Sequence, residues 1–131
     1  MKAKFTALYG RLKQQKLDGL LITKSVNACY LSSLTKTVDA WALITPDVNY
    51  LLTDPRFGQT CLKEAKNFNV RIERGPIYSP LKKIFNKLKL KRLGFEAGSL
   101  SYAGYKKLKT ELSPVKLIAT SNLIEDLRMI K

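Results

Sequence analysis

Histidine is absent from this 131-residue chain. The absence removes the commonest general base and the commonest transition-metal ligand. Acidic residues are scarce as well, 10 against 24 lysines and arginines. They are scattered at Asp18, Asp39, Asp47, Asp54, Glu64, Glu73, Glu96, Glu111, Glu125 and Asp126. None forms an aspartate-x-aspartate pair, and Glu125 and Asp126 point to different faces of a helix, so no carboxylate metal site is legible. The first predicted strand, residues 19–23, carries no carboxylate, which sets aside a nuclease that holds metal ions there. Cys29 and Cys61 are too far apart for a Cys-x-x-Cys site and fall in apolar-periodic segments, where buried thiols sit. No glycine-rich phosphate loop occurs; Gly94-Phe95-Glu96-Ala97-Gly98 lacks the lysine and the spacing. No apolar run approaches the ~20 residues that span a bilayer. Met1-Lys2-Ala3-Lys4-Phe5 is not followed by a signal-peptide core. The expectation is a cytoplasmic chain with no catalysis of its own.

What is present is enough for one domain spanning residues 1–131, with 45% hydrophobic residues to build a core. The net charge of +14 raises a nucleic-acid reading. The densest basic stretch is Lys82, Lys83, Lys87, Lys89, Lys91 and Arg92. Leu81, Ile84, Phe85 and Leu88 recur there at helical spacing, which assigns the lysines to the opposite, solvated face. No aromatic residue interleaves with that face to stack a base. A lysine-rich surface is the preferred reading, and a basic nucleic-acid-binding domain stays as an alternative.

Periodicity predicts an alternation of helices and strands. Phe5, Leu8, Tyr9 and Leu12 mark an amphipathic first helix stopped by Asp18-Gly19. Residues 19–23 read as a buried strand, and Ser25 as the cap of a short helix through Leu31. Residues 41–45 and 50–53 flank the turn Pro46-Asp47-Val48-Asn49 and predict a hairpin. Asp54 then caps a helix with Pro55 at its first position, running to about Lys66 and burying Phe57, Cys61, Leu62 and Ala65. Strands follow at 68–72, 92–95 and 115–118. Ser79-Pro80 opens the helix between the first two, and Ser101 caps a helix with Tyr102, Tyr105, Leu108 and Leu112 on one face. Asn122 starts a last helix, with Leu123, Ile124 and Leu127 packed inward and Ile130 less protected. Its apolar pattern runs to the final residues with no glycine cap, as at a domain junction. The sum is an α/β fold, a mixed six-stranded sheet with one hairpin and helices on both faces.

The chain carries Asn27-Ala28-Cys29-Tyr30-Leu31, then Thr53-Asp54-Pro55-Arg56-Phe57, then Gly94-Phe95-Glu96, and closes on Arg128-Met129-Ile130-Lys131. In this order and spacing it resembles the N-terminal domain of the creatinase/prolidase/aminopeptidase P family, the ribonuclease-H-like partner of the "pita-bread" metallopeptidase domain. The resemblance covers about residues 5–131. It implies a non-catalytic domain of a Xaa-Pro aminopeptidase or dipeptidase, a hydrolase whose C-terminal catalytic domain is missing from this chain. Two divalent metal ions would be held in that missing domain, and no cofactor in this one. The implied partners are that catalytic domain, a homodimer partner subunit and, in the full protein, proline-containing peptides. The loop before the second strand, residues 34–40, would reach the partner's active site. Its Lys36, Val38 and Asp39, with Arg56 at the strand-to-helix junction, are the candidate substrate-shaping or inter-subunit residues. Thr35-Lys36-Thr37-Val38 departs from the glycine and serine that many relatives carry there. The hairpin should set Arg56 and this loop on one edge of the domain. Some relatives have lost catalysis, so a protein-binding module is the other alternative.

Overall fold

The structure, a computed structural model, describes residues 2–129. The elements run α1 (Lys2–Gln14), β1 (Gly19–Ile22), α2 (Ser25–Ser32), β2 (Ala40–Ile44), β3 (Asn49–Thr53) and α3 (Gly58–Glu64). They continue as β4 (Asn69–Ile72), α4 (Tyr78–Leu88), β5 (Arg92–Glu96), α5 (Tyr102–Leu112), β6 (Lys116–Thr120) and α6 (Leu123–Met129). The strands form one six-stranded sheet in the order β4-β3-β2-β1-β5-β6. β2 is antiparallel to both neighbours, and every other pairing is parallel. The predicted mixed sheet with one hairpin is therefore the fold observed.

The strands alternate between two cores, because successive side chains leave a strand on opposite faces. Leu20, Ile22, Ala42, Ile44 and Leu51 point to α1, α2, α3 and α6, meeting Leu8, Leu12, Leu31, Cys61, Ile124 and Leu127. Leu21, Leu43, Tyr50, Leu52 and Leu93 point the other way, onto Leu81, Ile84 and Phe85 of α4 and Leu108 and Leu112 of α5. Central strands are buried on both faces, which is why they read as unbroken apolar runs.

Several helix starts differ from the sequence expectation. Asp54 does not cap a helix at Pro55. Its carboxylate accepts the Arg56 amide at 2.8 Å, and the Phe57 amide bonds the Asp54 carbonyl at 3.1 Å, so residues 54–57 form a turn and α3 begins only at Gly58. A carboxylate that closes its own turn two residues on is the usual competitor of a helix cap. Leu62 is consequently 53% exposed rather than buried. Ser25 does not cap α2; its hydroxyl turns to the backbone of Ala40. α4 starts at Tyr78, ahead of Ser79 and Pro80, which sit inside its first turn. Ser101 does cap α5, accepting the Gly104 amide at 3.0 Å, but Tyr102 is exposed beneath Lys106 instead of joining the apolar face. α1 ends before Lys16, whose left-handed φ of 58° breaks the helix ahead of Asp18. Leu123, Ile124 and Leu127 are buried as expected. Ile130 lies outside the described residues.

Candidate functional site: the carboxyl edge of the sheet

The parallel strands β1, β3, β4, β5 and β6 all end on one edge, and antiparallel β2 begins there. Open α/β sheets place their binding residues at this edge. The register Ala40↔Thr53 brings the loop at residues 34–40 beside the turn that carries Arg56. Lys36 and Asp39 are exposed on that loop, and Val38 is half-buried against the core. Arg56 donates through Nε to Asp54 Oδ1 at 3.1 Å and through Nη2 to Asp54 Oδ2 at 2.8 Å. The same Nη2 reaches Asp39 Oδ2 at 3.3 Å, so two of the four candidate residues, Asp39 and Arg56, meet in one cluster with Asp54, and the guanidinium lies over the Phe57 ring. Arg56 holds the Asp54 carboxyl below its ordinary range, and Asp54 in turn raises Arg56.

The loop is fastened at three points. The Thr35 amide and hydroxyl donate to Glu64 Oε1 of α3 at 2.9 and 3.1 Å. The Cys29 thiol of α2 both accepts from the Val38 amide and donates to its carbonyl, each at 3.4 Å. The third point is Asp39, through Arg56 and through the Thr53 hydroxyl that donates to its carbonyl at 2.8 Å. Lys36 takes no part in these bonds. Behind the loop lies an open hollow of about 360 Å³ lined by Ser25, Asp39, Trp41, Thr53, Asp54 and Ile77.

Further along the edge, a buried network holds α2, β5 and α6 together. Glu96 Oε1 accepts the amides of Thr23 and Lys24, each at 2.9 Å, and Oε2 accepts Asn27 Nδ2 at 2.6 Å. Glu96 is thus the cap of α2, supplied by a strand rather than by the residue before the helix. Asn27 also donates to Glu125 at 3.0 Å and accepts from Arg128 at 3.0 Å. Burial pushes the Glu96 carboxyl up, against the pull of the Lys24 amide, the Asn27 side chain and the Thr23 amide, and the Glu125 charge adds to the rise. For Glu125 burial acts upward too, but the bonds from Asn27 and Lys24 win and its pKa falls. Sequence reasoning placed Asn27 and Glu96 in motifs without giving them a task. The available signal was a glutamate ending an apolar strand, a position where an unpartnered charge would be expensive.

Among the described residues, no group of three or more Cys, Asp or Glu could hold a metal ion. Asp39 and Asp54 at the edge are already taken by Arg56, so the donor set does not fit a divalent-metal pair. No helix of the described residues is long and apolar enough to cross a membrane.

Residues 4–130 match the family described as the Creatinase/Prolidase N-terminal domain. The uncharacterized peptidase YqhT of Bacillus subtilis is 29% identical over 128 residues, which are 98% of this chain and 35% of that protein. The chain thus spans about a third of the length of this curated relative. A Xaa-Pro dipeptidase from Bacillus anthracis superposes with a TM-score of 0.90 at 28% identity, over 99% of this chain and 36% of its own. An aminopeptidase P, a Xaa-Pro aminopeptidase from Streptococcus thermophilus, gives 0.84 at 26%, covering 98% of each chain. The N-terminal domain of the cytoplasmic peptidase PepQ from Mycobacterium tuberculosis gives 0.84 at 26%, over 96% of this chain and 98% of its own.

Proposed function

Because the chain belongs to the Creatinase/Prolidase N-terminal domain family, we propose that it serves as the non-catalytic N-terminal domain of a cytoplasmic Xaa-Pro peptidase, docking on a catalytic domain and a partner subunit. Its loop at residues 34–40 and Arg56 border the substrate site of that assembly. The observation that carries this reading is the three-point fastening of the loop at the carboxyl edge. A rim held in one shape loses little entropy when a peptide meets it, so it selects among peptides by fit and charge. Lys36 offers a cation, Asp39 an anion and Val38 an apolar shoulder, and none of the three can attack a peptide bond without an activating base. Two divalent ions in the catalytic domain would supply the activated water.

Three measurements test this. The chain alone, given manganese, cobalt or zinc, hydrolyses no Xaa-Pro peptide; metal-dependent turnover that survives repurification would overturn the non-catalytic assignment. The sequence that follows in the gene should carry an aspartate, aspartate, histidine, glutamate, glutamate ligand set. Its absence would favour a protein-binding module of a non-catalytic relative. In the complete enzyme, Lys36→Ala and Asp39→Ala should change KM for peptides more than kcat.

A further inference from the structure

β4 is an edge strand, and its outer side is open. It runs parallel to β3, and the Glu73 amide just beyond its end bonds the Thr53 carbonyl at 2.8 Å. In a parallel ladder, alternate residues turn their backbone groups to the same neighbour. Arg71 therefore shares the inward direction of Glu73, and the N–H and C=O of Val70 and Ile72 face away from the sheet. Unpaired edge groups of this kind are a template for another strand. β4 is only four residues long and carries one charged side chain, Arg71, but it contains no proline, no lysine and no bulge, and its register with β3 is unbroken.

The two sides of this edge differ in chemistry. On the α4 side, Arg71, Lys83, Lys87 and Glu73 line a groove of about 450 Å³. None of these three cations pairs with a carboxylate among the described residues; Arg71 lies instead over the Tyr50 ring. On the α3 side the surface is apolar. Ile72 is 39% exposed and lies across Gly58, where an added Cβ would come within 2.6 Å of its Cδ1. Exposed Leu62 is carried by α3, the helix packed on β4.

We infer that the free edge of β4 docks an extended acidic peptide segment, which adds as a strand beside Val70 and Ile72 and sets alternate carboxylates against Arg71, Lys83 and Lys87. Strand addition draws affinity from the main chain and selectivity from every second side chain. The segment that fits alternates acidic residues, facing the α4 groove, with apolar residues, facing Ile72. A second copy of this chain fits poorly. Pairing β4 with itself around a two-fold axis would bring the Lys83 and Lys87 of both copies together, between chains that each carry a net +14. The same net charge steers an acidic segment inward. This groove shares Glu73 and Gly75 with the hollow behind the loop, but the open strand edge does not depend on the assignment of that loop to a substrate site.

The test is titration of the isotope-labelled chain with a short capped peptide of alternating glutamate and valine. The expected result is saturable binding that shifts the amide resonances of Val70, Ile72 and Lys83 and weakens with salt. A peptide of alternating lysine and valine should not bind. The glutamate–valine peptide N-methylated at glutamate and valine alike should lose binding, because it keeps its charges but lacks every N–H donor, whichever direction the added strand runs. Lys83→Glu with Lys87→Glu, both exposed helix positions, should weaken binding about tenfold, since each exposed ion pair contributes at most about fivefold. Four results would overturn the inference: no saturable binding at millimolar peptide, equal binding of the N-methylated peptide, displacement of the peptide by duplex DNA shifting the same resonances, or dimerisation through β4 without peptide.

Discussion

Replacing Glu96 with alanine removes an acceptor that no neighbour can replace. The carboxylate receives the Thr23 and Lys24 amides and the Asn27 side chain. Asn27 keeps its bond to Glu125 at 3.0 Å, so the two backbone amides at the start of α2 are the groups left orphaned. An unsatisfied donor costs about 1–3 kcal/mol, and the network sits where Glu96 is only 9% exposed, so the expected loss is about 3 kcal/mol. For a domain of this length the unfolding entropy is roughly 0.28 kcal/mol/K, which places the melting temperature about 10 °C lower. Urea unfolding followed by Trp41 fluorescence reads the free energy, and a thermal melt followed by circular dichroism reads the temperature. Glu125→Ala is the control, because Lys24 and Glu125 are partly exposed and Asn27 retains Glu96. A Glu96→Ala loss below about 1 kcal/mol, or one equal to the control, would refute the capping role. The pH dependence gives a second reading. Burial raises the folded Glu96 pKa above its unfolded value. The folded state then holds more protons than the unfolded state between the two values, so this stability contribution is fully present below the unfolded pKa and declines as pH rises through the folded one. In Glu96→Gln that slope should vanish.

Gly19→Ala should destabilise by about 1–3 kcal/mol, because its Cβ would lie 2.9 Å from the Ile44 carbonyl oxygen, a backbone atom that cannot move aside; Gly10→Ala, on the exposed face of α1 with nothing within 4 Å, should instead raise stability by about 0.5–1 kcal/mol, both read by urea unfolding. Cys29 and Cys61 are buried and their thiols are pushed up by that burial, so Ellman's reagent at neutral pH should react with neither until the chain is unfolded. Arg56→Gln should return the Asp54 titration, followed by carboxyl carbon NMR, toward the ordinary carboxylate range. Asp54 contributes stability above its unfolded pKa and loses it as pH falls through the lowered one, but the melting temperature should barely move, since the pair is exposed.

The strands were legible because their apolar runs are short, β-branched or leucine-rich, and bounded by turn residues, as at residues 19–22 and 49–53. The amphipathic face of α4 was equally plain, since Leu81, Ile84 and Phe85 all proved buried. Helix starts were harder because the capping group need not be near in sequence. Glu96 caps a helix 72 positions earlier in the chain, and no local pattern announces that. Asp54 had two local options, a helix cap or a turn closed on Arg56, and the bidentate pairing with Arg56 decided it. The candidate edge was readable in outline from the hairpin, which fixed Asp39 and Arg56 as neighbours. The fastening by Cys29 and Glu64 was not, because it depends on how α2 and α3 pack beneath the loop. The open edge of β4 follows from strand order, which periodicity does not encode.

The sulfur of Cys29 grips Val38 from below while Glu64 holds Thr35 from the side. Between these anchors only Lys36 and Thr37 stand clear of the domain. The loop therefore works like a tool holder with a two-residue bit. The holder is built from the buried Cys29 thiol and the Glu64 carboxylate, whereas the bit makes none of the bonds that fasten the loop. Change can accumulate at residues 36 and 37 without an accompanying repair elsewhere, whereas a change at Thr35 would cost the hydroxyl bond to Glu64.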